Sequence, residues 1–308
     1  MGGGLMKLGF LTACLPKLTL EEIADWAVEQ GYEALEVAAW PELGERPFIA
    51  THLNAENYDS VKVKHIFQSR GLHLSSLAFY DNNLHPNQTT RDEINQHVIK
   101  LIDVAAELGV ESVGTFIGRD WNRPVRENLA IAKDVFSPIV AHANNRNVKI
   151  VIENCVMEGW HPDGYPANLA YSPELWEWMF GLGLYLNYDP SHLVWMGIDP
   201  IAAIKPYMDR VVHAQAKDIE TFPEKRNRFG YPGQIVNREN PWDVDWWRYR
   251  VPGLGEVDWR RLIDVMYEGG FNGTLSVEHE DPLWGGSEDK IKIGLQIAYK
   301  TLRPYIVK

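Results

Sequence analysis

Short apolar runs alternate along the chain with longer amphipathic stretches, and the alternation repeats eight times. The runs Leu8–Thr12, Ala34–Ala38, His73–Phe79, Val110–Ile117, Val148–Glu153, Leu184–Tyr188, Val211–Ala216 and Gly273–Val277 have the pattern of buried strands. Between them, apolar residues recur at helical spacing, most clearly over Arg91–Leu108, Pro124–Asn144, Pro173–Gly181, Trp259–Gly269 and Ser287–Leu302. Thr19-Leu20-Glu21-Glu22 reads as a helix cap with an acidic first turn, ahead of Ile23, Trp26 and Ala27. Gly31, Gly71, Gly109 and Gly270 stand where helices should stop before the next strand. Eight strand-then-helix units with no Pro/Gly/Ser-rich linker predict an α/β fold, a single closed (β/α)8 TIM barrel over residues 6–308. An open, doubly wound sheet with a cap is the alternative. Met1–Leu5 reads as an appended or disordered start, outside this scheme.

Composition narrows the function without choosing it. At 308 residues and 45% hydrophobic, the chain can bury a sizeable core. Its net charge of -12 repels phosphate backbones and anionic membrane surfaces, so nucleic acid and membrane are not expected partners. No stretch approaches the roughly 20 apolar residues of a membrane span. Cys14 and Cys155 are far apart, which excludes a disulfide framework and points to a reducing compartment, the cytoplasm by default.

The candidate chemistry lies at the ends of the last four strands. Val151-Ile152-Glu153-Asn154, Leu186-Asn187-Tyr188-Asp189, Val211-Val212-His213-Ala214-Gln215-Ala216-Lys217-Asp218 and Leu275-Ser276-Val277-Glu278 each begin apolar and finish in oxygen donors. In a barrel those ends converge on the face where active sites are built. If Glu153, Asp189 and Glu278 all point inward, three carboxylates crowd one pocket, and a cation or bound protons must relieve the repulsion.

These residues resemble the xylose isomerase-like TIM barrels, a family of ketose 3-epimerases, inosose dehydratases and related sugar isomerases. The resemblance spans essentially the whole chain. Its most specific parts are the segments around Glu153 and Glu278, Asp189-Pro190-Ser191-His192, Ala216-Lys217-Asp218, and Val251-Pro252-Gly253-Leu254-Gly255-Glu256-Val257-Asp258-Trp259. It implies that Glu153, Asp189, a strand-seven residue and Glu278 bind one divalent metal, and that Glu153 and Glu278 also act as acid/base groups. Relatives commonly read His-x-His-x-Lys-Asp on strand seven, with the second His as ligand; here Gln215 stands in that place. Gln215 is therefore the expected fourth ligand. His213 is its rival, because period-two alternation puts 213, 215 and 217 on one strand face. An all-oxygen set of carboxylates and amide favours Mn²⁺ or Mg²⁺ over Zn²⁺.

Such a site moves a proton next to a carbonyl, with an enediolate stabilised by the metal and a carboxylate as base. Isomerisation, epimerisation and dehydration by loss of a β-hydroxyl all follow from that step. The resemblance makes His192 a substrate contact. Lys217 reads as an electrophile or an ion-paired support, and Glu36, a charge within an apolar strand, as a partner for a substrate hydroxyl or for a barrel cation. Two loops extend the site. Met157–Tyr165 carries Trp160, an aromatic face for a sugar. Residues 219–256 form an insertion longer than ordinary βα loops, with Trp242, Trp246, Trp247 and Tyr249, and read as a lid or a subunit contact of a homo-oligomer. Arg250 lies near the place where epimerases carry a substrate-binding Arg. The expected substrate is an unphosphorylated sugar, sugar acid or cyclitol, since no Gly-rich phosphate cradle or basic cluster stands near strands seven and eight. The rival class is a barrel that binds sugar without catalysis, with Gln215 as its sign. A DNA-directed branch of the superfold, built on a His-rich zinc centre, suits neither the ten His nor the acidic charge.

Overall fold

A computed structural model describes residues 5–41 and 50–307; the reading of Met1–Leu5 falls, apart from Leu5, outside the described residues. The barrel strands are β1 (Lys7–Leu11), β2 (Ala34–Ala38), β3 (His73–Ala78), β4 (Ser112–Thr115), β5 (Lys149–Glu153), β6 (Tyr185–Tyr188), β7 (Val211–Ala216) and, after two strands of an insertion, β10 (Thr274–Val277). All eight expected runs are strands. They close in the order β1-β10-β7-β6-β5-β4-β3-β2, every pairing parallel, with β1 bonded to both β2 and β10. This settles the closed barrel against the open sheet.

The helices follow as α1 (Leu20–Gln30), α2 (Ser60–Arg70), α3 (Gln88–Leu108), α4 (Val125–Asn145), α5 (Pro173–Phe180), α6 (Ser191–Trp195), α7 (Pro200–Ile204), α8 (Pro223–Phe229), α9 (Trp259–Glu268) and α10 (Glu288–Leu302). Local chemistry sets their ends. Thr19 and Glu22 form a reciprocal capping box at α1, and Gly31, at φ 88°, ends it in the left-handed conformation a side chain would resist. The buried face of α1, with Ile23, Ala24 and Ala27, packs into the single core shared with the strands.

The insertion is a folded unit packed on its own barrel. β8 (Asp218–Thr221) and β9 (Trp247–Arg250) pair antiparallel, with α8 between them in the chain. Trp247 stacks on Trp195 with ring centroids 4.9 Å apart, and Trp246 is wholly buried beside them. Burying aromatic area of this size is strongly stabilising, so these tryptophans are core rather than lid surface. Asp218 explains the Val251–Trp259 motif. Its buried carboxylate accepts from the amides of Ile219, Gly253 and Val257 and from the Trp259 indole, at 2.9 to 3.0 Å. Gly253 donates there at φ 94°.

Candidate active site

The last residue of β5 is Glu153, and the residues that follow Tyr188 of β6 and Val277 of β10 are Asp189 and Glu278. One carboxylate oxygen from each lies within 4.8 Å of the other two, all three residues buried, a group that can hold a metal ion. A cation already stands there. Lys217, just past β7, reaches in with its ammonium 2.7 Å from Glu278, 3.1 Å from Glu280, 3.2 Å from Asp189 and 3.8 Å from Glu153. It also lies 4.5 Å from the Tyr249 ring centroid, a cation–π contact. The Asp218 next to it does not pair with it, being spent on the Val251–Trp259 segment.

His192 is held on three sides. Its Nε2 lies 3.2 Å from Glu153 Oε1 and 3.3 Å from Asp189 Oδ2, and its Nδ1 is 3.1 Å from the Tyr249 hydroxyl. The Asp189 carboxylate can only accept, so the proton between it and the ring is carried by Nε2; in the neutral ring Nδ1 then accepts from the Tyr249 hydroxyl.

The protons of the cluster follow from burial and neighbours. Burial raises Glu153 and Glu278 well above the usual carboxylate range; the surrounding carboxylates add to this and Lys217 opposes it. Burial would also raise Asp189, but Lys217, His192 and Ser191 outweigh it and hold that carboxyl at about 2. Burial disfavours charge on Lys217, yet Glu278, Glu280, Asp189 and Glu153 keep its pKa well above the ordinary value. Of the three carboxyls Asp189 gives up its proton most readily, and Glu153 and Glu278 are the ones that favour taking a proton up.

Beneath the cluster runs a buried polar column. The Gln215 amide donates to Glu36 at 3.3 and 3.4 Å and lies 3.3 Å from the Tyr80 hydroxyl, which in turn donates to Glu36. Asn187 donates to Tyr80 at 2.7 Å and accepts from His213 Nδ1 at 3.0 Å, while His213 Nε2 is 3.1 Å from Ser75. His213 lines a cavity with Lys7, His73, Lys149, Tyr185 and Thr274, which begin their strands. The rival ligand therefore sits toward the opposite end of the barrel, with both ring nitrogens engaged.

Above the cluster opens a cavity of about 590 Å³ whose wall carries Trp40, Tyr80, Phe116, Trp121, Trp160, Trp242 and Tyr249 and whose charged lining is Asp81, Glu153, Lys217, Glu278 and Glu280. Trp160 meets Phe116 edge-on at 5.6 Å, within the wall as expected. Arg250 is placed otherwise. It is bound to Asp281 at 2.9 Å and to Glu220 at 2.6 Å, so its guanidinium ties the insertion to the segment after β10 and is not among the lining side chains. Glu36 likewise is not in the lining and meets Tyr80 and Gln215 instead.

Residues 24–301 match the family model described as xylose isomerase-like TIM barrel. The chain belongs to that family. Among curated proteins it is 27% identical over 301 residues to YfiH of Bacillus subtilis, described as uncharacterized, covering 90% of this chain and 93% of that protein. It is 33% identical over 103 residues to the inosose dehydratase of Clostridium tetani, a stretch covering 32% of each chain. Among solved structures, the IOLI protein with a bound zinc atom aligns over 98% of this chain and 100% of that one, at 20% identity and a TM-score of 0.71.

Seen as a xylose isomerase-like barrel, the chain offers a divalent ion three clustered carboxylates. Gln215 Oε1 is buried without a hydrogen-bond partner among the described residues, whereas Asp189 Oδ2 already faces the Lys217 ammonium at 3.2 Å and His192 Nε2 at 3.3 Å. An unpaired buried acceptor such as Gln215 Oε1 suits a cation or a donor from substrate. Tyr80 and Glu280 are site residues that sequence reasoning missed, and Tyr249 was placed in the insertion without its contact to His192. Tyr80 opens the polar run Tyr80-Asp81-Asn82-Asn83 after β3, and Glu280 follows Glu278, so the strand-end rule applied to every strand would have found both. Tyr249 had no such signal, because only the fold of the insertion brings it to His192.

Proposed function

We propose that this chain is an isomerase or epimerase of an unphosphorylated sugar, sugar acid or cyclitol, moving a proton next to a carbonyl with Glu153 and Glu278 as the acid/base pair. The observation that carries the reading is the placement of two buried carboxyls of raised pKa on the floor of an aromatic-walled cavity. A carboxyl poised nearer neutrality can both accept and return a proton, which a simple binding site does not require. His192 holds Glu153 through its Nε2–H, and Tyr249 holds His192, so the base is oriented by a chain of hydrogen bonds reaching into the insertion. Trp160 and Trp242 provide apolar faces for the C–H surface of a sugar and keep water from the floor.

Glu153, Asp189 and Glu278 would hold a divalent ion, with Gln215 Oε1 as the available fourth donor; hard oxygen donors favour Mn²⁺ or Mg²⁺. When bound, such an ion supplies positive charge at the carbonyl oxygen. Dehydration of a cyclitol ketone is the second reading, favoured by the local likeness to inosose dehydratase.

The test is proton exchange. Protein supplied with Mn²⁺ in D₂O, offered ketoses, sugar acids and inososes, should place deuterium on a carbon next to the carbonyl, as read by NMR. Glu153→Gln and Glu278→Gln should each slow exchange by about 10²-fold or more, the usual worth of a positioned base. No exchange with any member of the panel, or both variants within about threefold of the parent, would refute the assignment.

A further inference from the structure

The charge that Lys217 brings to the carboxylate cluster has no part in the chemistry above. Its ammonium shares all three carboxylates of the metal-holding group, at 2.7, 3.2 and 3.8 Å, and is wholly buried. A divalent ion on the same oxygens would face a like charge at a few ångströms in a medium of low dielectric, where repulsion is strong. Lys217 also has a fourth neighbour outside the group. Glu280, whose side chain is 44% exposed, lies 3.1 Å from Nζ, and the Tyr249 ring lies beside it. A lysine stem has four rotatable carbons and a compact charge, so the head can move outward without losing its counter-ion.

We propose that Lys217 and the divalent ion are alternative occupants of one cation place: the ammonium holds Glu153, Asp189 and Glu278 together while no ion is bound, and withdraws onto Glu280 and the Tyr249 face when one enters. This rests on the reading that the carboxylates take a divalent ion. Strand geometry supports it, because inward alternation along β7 carries residue 217 to the mouth, level with the carboxylates, two residues beyond Gln215. It follows that the protein keeps an ordered site without metal and binds metal more weakly than its carboxylates alone would.

Calorimetric titration of chelator-treated protein with Mn²⁺ tests this. Lys217→Met should bind Mn²⁺ about tenfold tighter or more, and Lys217→Arg, which keeps the charge, should stay within about threefold of the parent. Lys217→Gln, which can still donate to Glu278 and Glu280, should show the same gain and serves if the Met variant does not fold without an ion. In EDTA both neutral variants should melt below the parent and recover with Mn²⁺. Equal affinity in all four proteins, tighter binding by the Arg variant as well, or weaker binding by both neutral variants overturns the proposal and leaves the acid/base assignment standing. If none binds Mn²⁺, this inference and the metal reading fall together. If the affinities shift as expected but no sugar exchanges protons, the inference holds and the proposed reaction fails.

Discussion

The Asp218 carboxylate joins the insertion to the barrel, and its removal should be among the costliest single changes in this protein. Asp218→Ala leaves three backbone amides and the Trp259 indole without their acceptor, in a place where the native side chain is wholly buried. A buried donor left unpaired costs about 1 to 3 kcal/mol, so four would total about 4 to 12 kcal/mol if none found a substitute. Water entering the vacated volume recovers part of this, and the net should be about 3 to 5 kcal/mol, in the range reserved for broken buried networks. With an unfolding entropy of about 2.1 cal/mol/K per residue over 308 residues, that is a fall in melting temperature of roughly 5 to 8 °C. Asp218→Asn keeps the shape and one acceptor but turns an NH₂ group toward two donors, and should lose about half as much. Differential scanning calorimetry at fixed metal concentration measures the loss, and limited proteolysis within 219–256 reports whether the insertion is released first. Activity should fall with it, because Tyr249 reaches His192 only while β9 is paired to β8. A loss below about 1 kcal/mol in the alanine variant, with the insertion still resistant to protease, would refute this account of the Val251–Trp259 motif.

Three further expectations are independent of that one. Gln215→His replaces a neutral hard oxygen by a softer nitrogen and should shift the ratio of Zn²⁺ to Mn²⁺ affinity toward Zn²⁺; an unchanged ratio by calorimetric titration would mean that position 215 does not touch the ion. Tyr249→Phe leaves His192 Nδ1 without its donor, which should cost about 1 kcal/mol of stability and lower kcat about tenfold through a misoriented His192, while KM changes little; wild-type kcat would remove Tyr249 from the orienting chain. Asp281 titrates below its ordinary value: burial raises it, but Arg250 and the Val251 and Leu283 amides outweigh that. A depressed folded pKa gives stability that is complete above the unfolded value of about 3.9 and is lost as pH falls toward the folded one. Urea midpoints between pH 5 and 3 should therefore drop less steeply in Asp281→Asn than in the parent, and parallel curves would refute the role of this ion pair.

Much of the fold was legible from local patterning. Ala34–Ala38 and Val211–Ala216 are strands over the expected residues, and the capping box at Thr19 and the glycine stops at 31, 71 and 109 stand where side-chain and backbone chemistry alone would put them. These are properties of neighbours in the chain. So is the polar end that follows each apolar run, and that is enough to gather Glu153, Asp189 and Glu278 at one mouth of a barrel.

What sequence could not decide was level within the barrel. Alternation puts His213, Gln215 and Lys217 on one side of β7 and says nothing of their height, which is set by the stagger of the strands. Closure pairs His213 with Thr274 and Asn187, and Gln215 with Ser276, so His213 falls at the strand-start end, Gln215 meets Glu36 and Tyr80, and Lys217 arrives among the carboxylates. The same limit hid the true partners of Arg250 and Asp218. Both lie beside residues some thirty to forty positions later in the chain, and only the pairing of β8 with β9 and its docking beside β10 bring those charges and donors within reach.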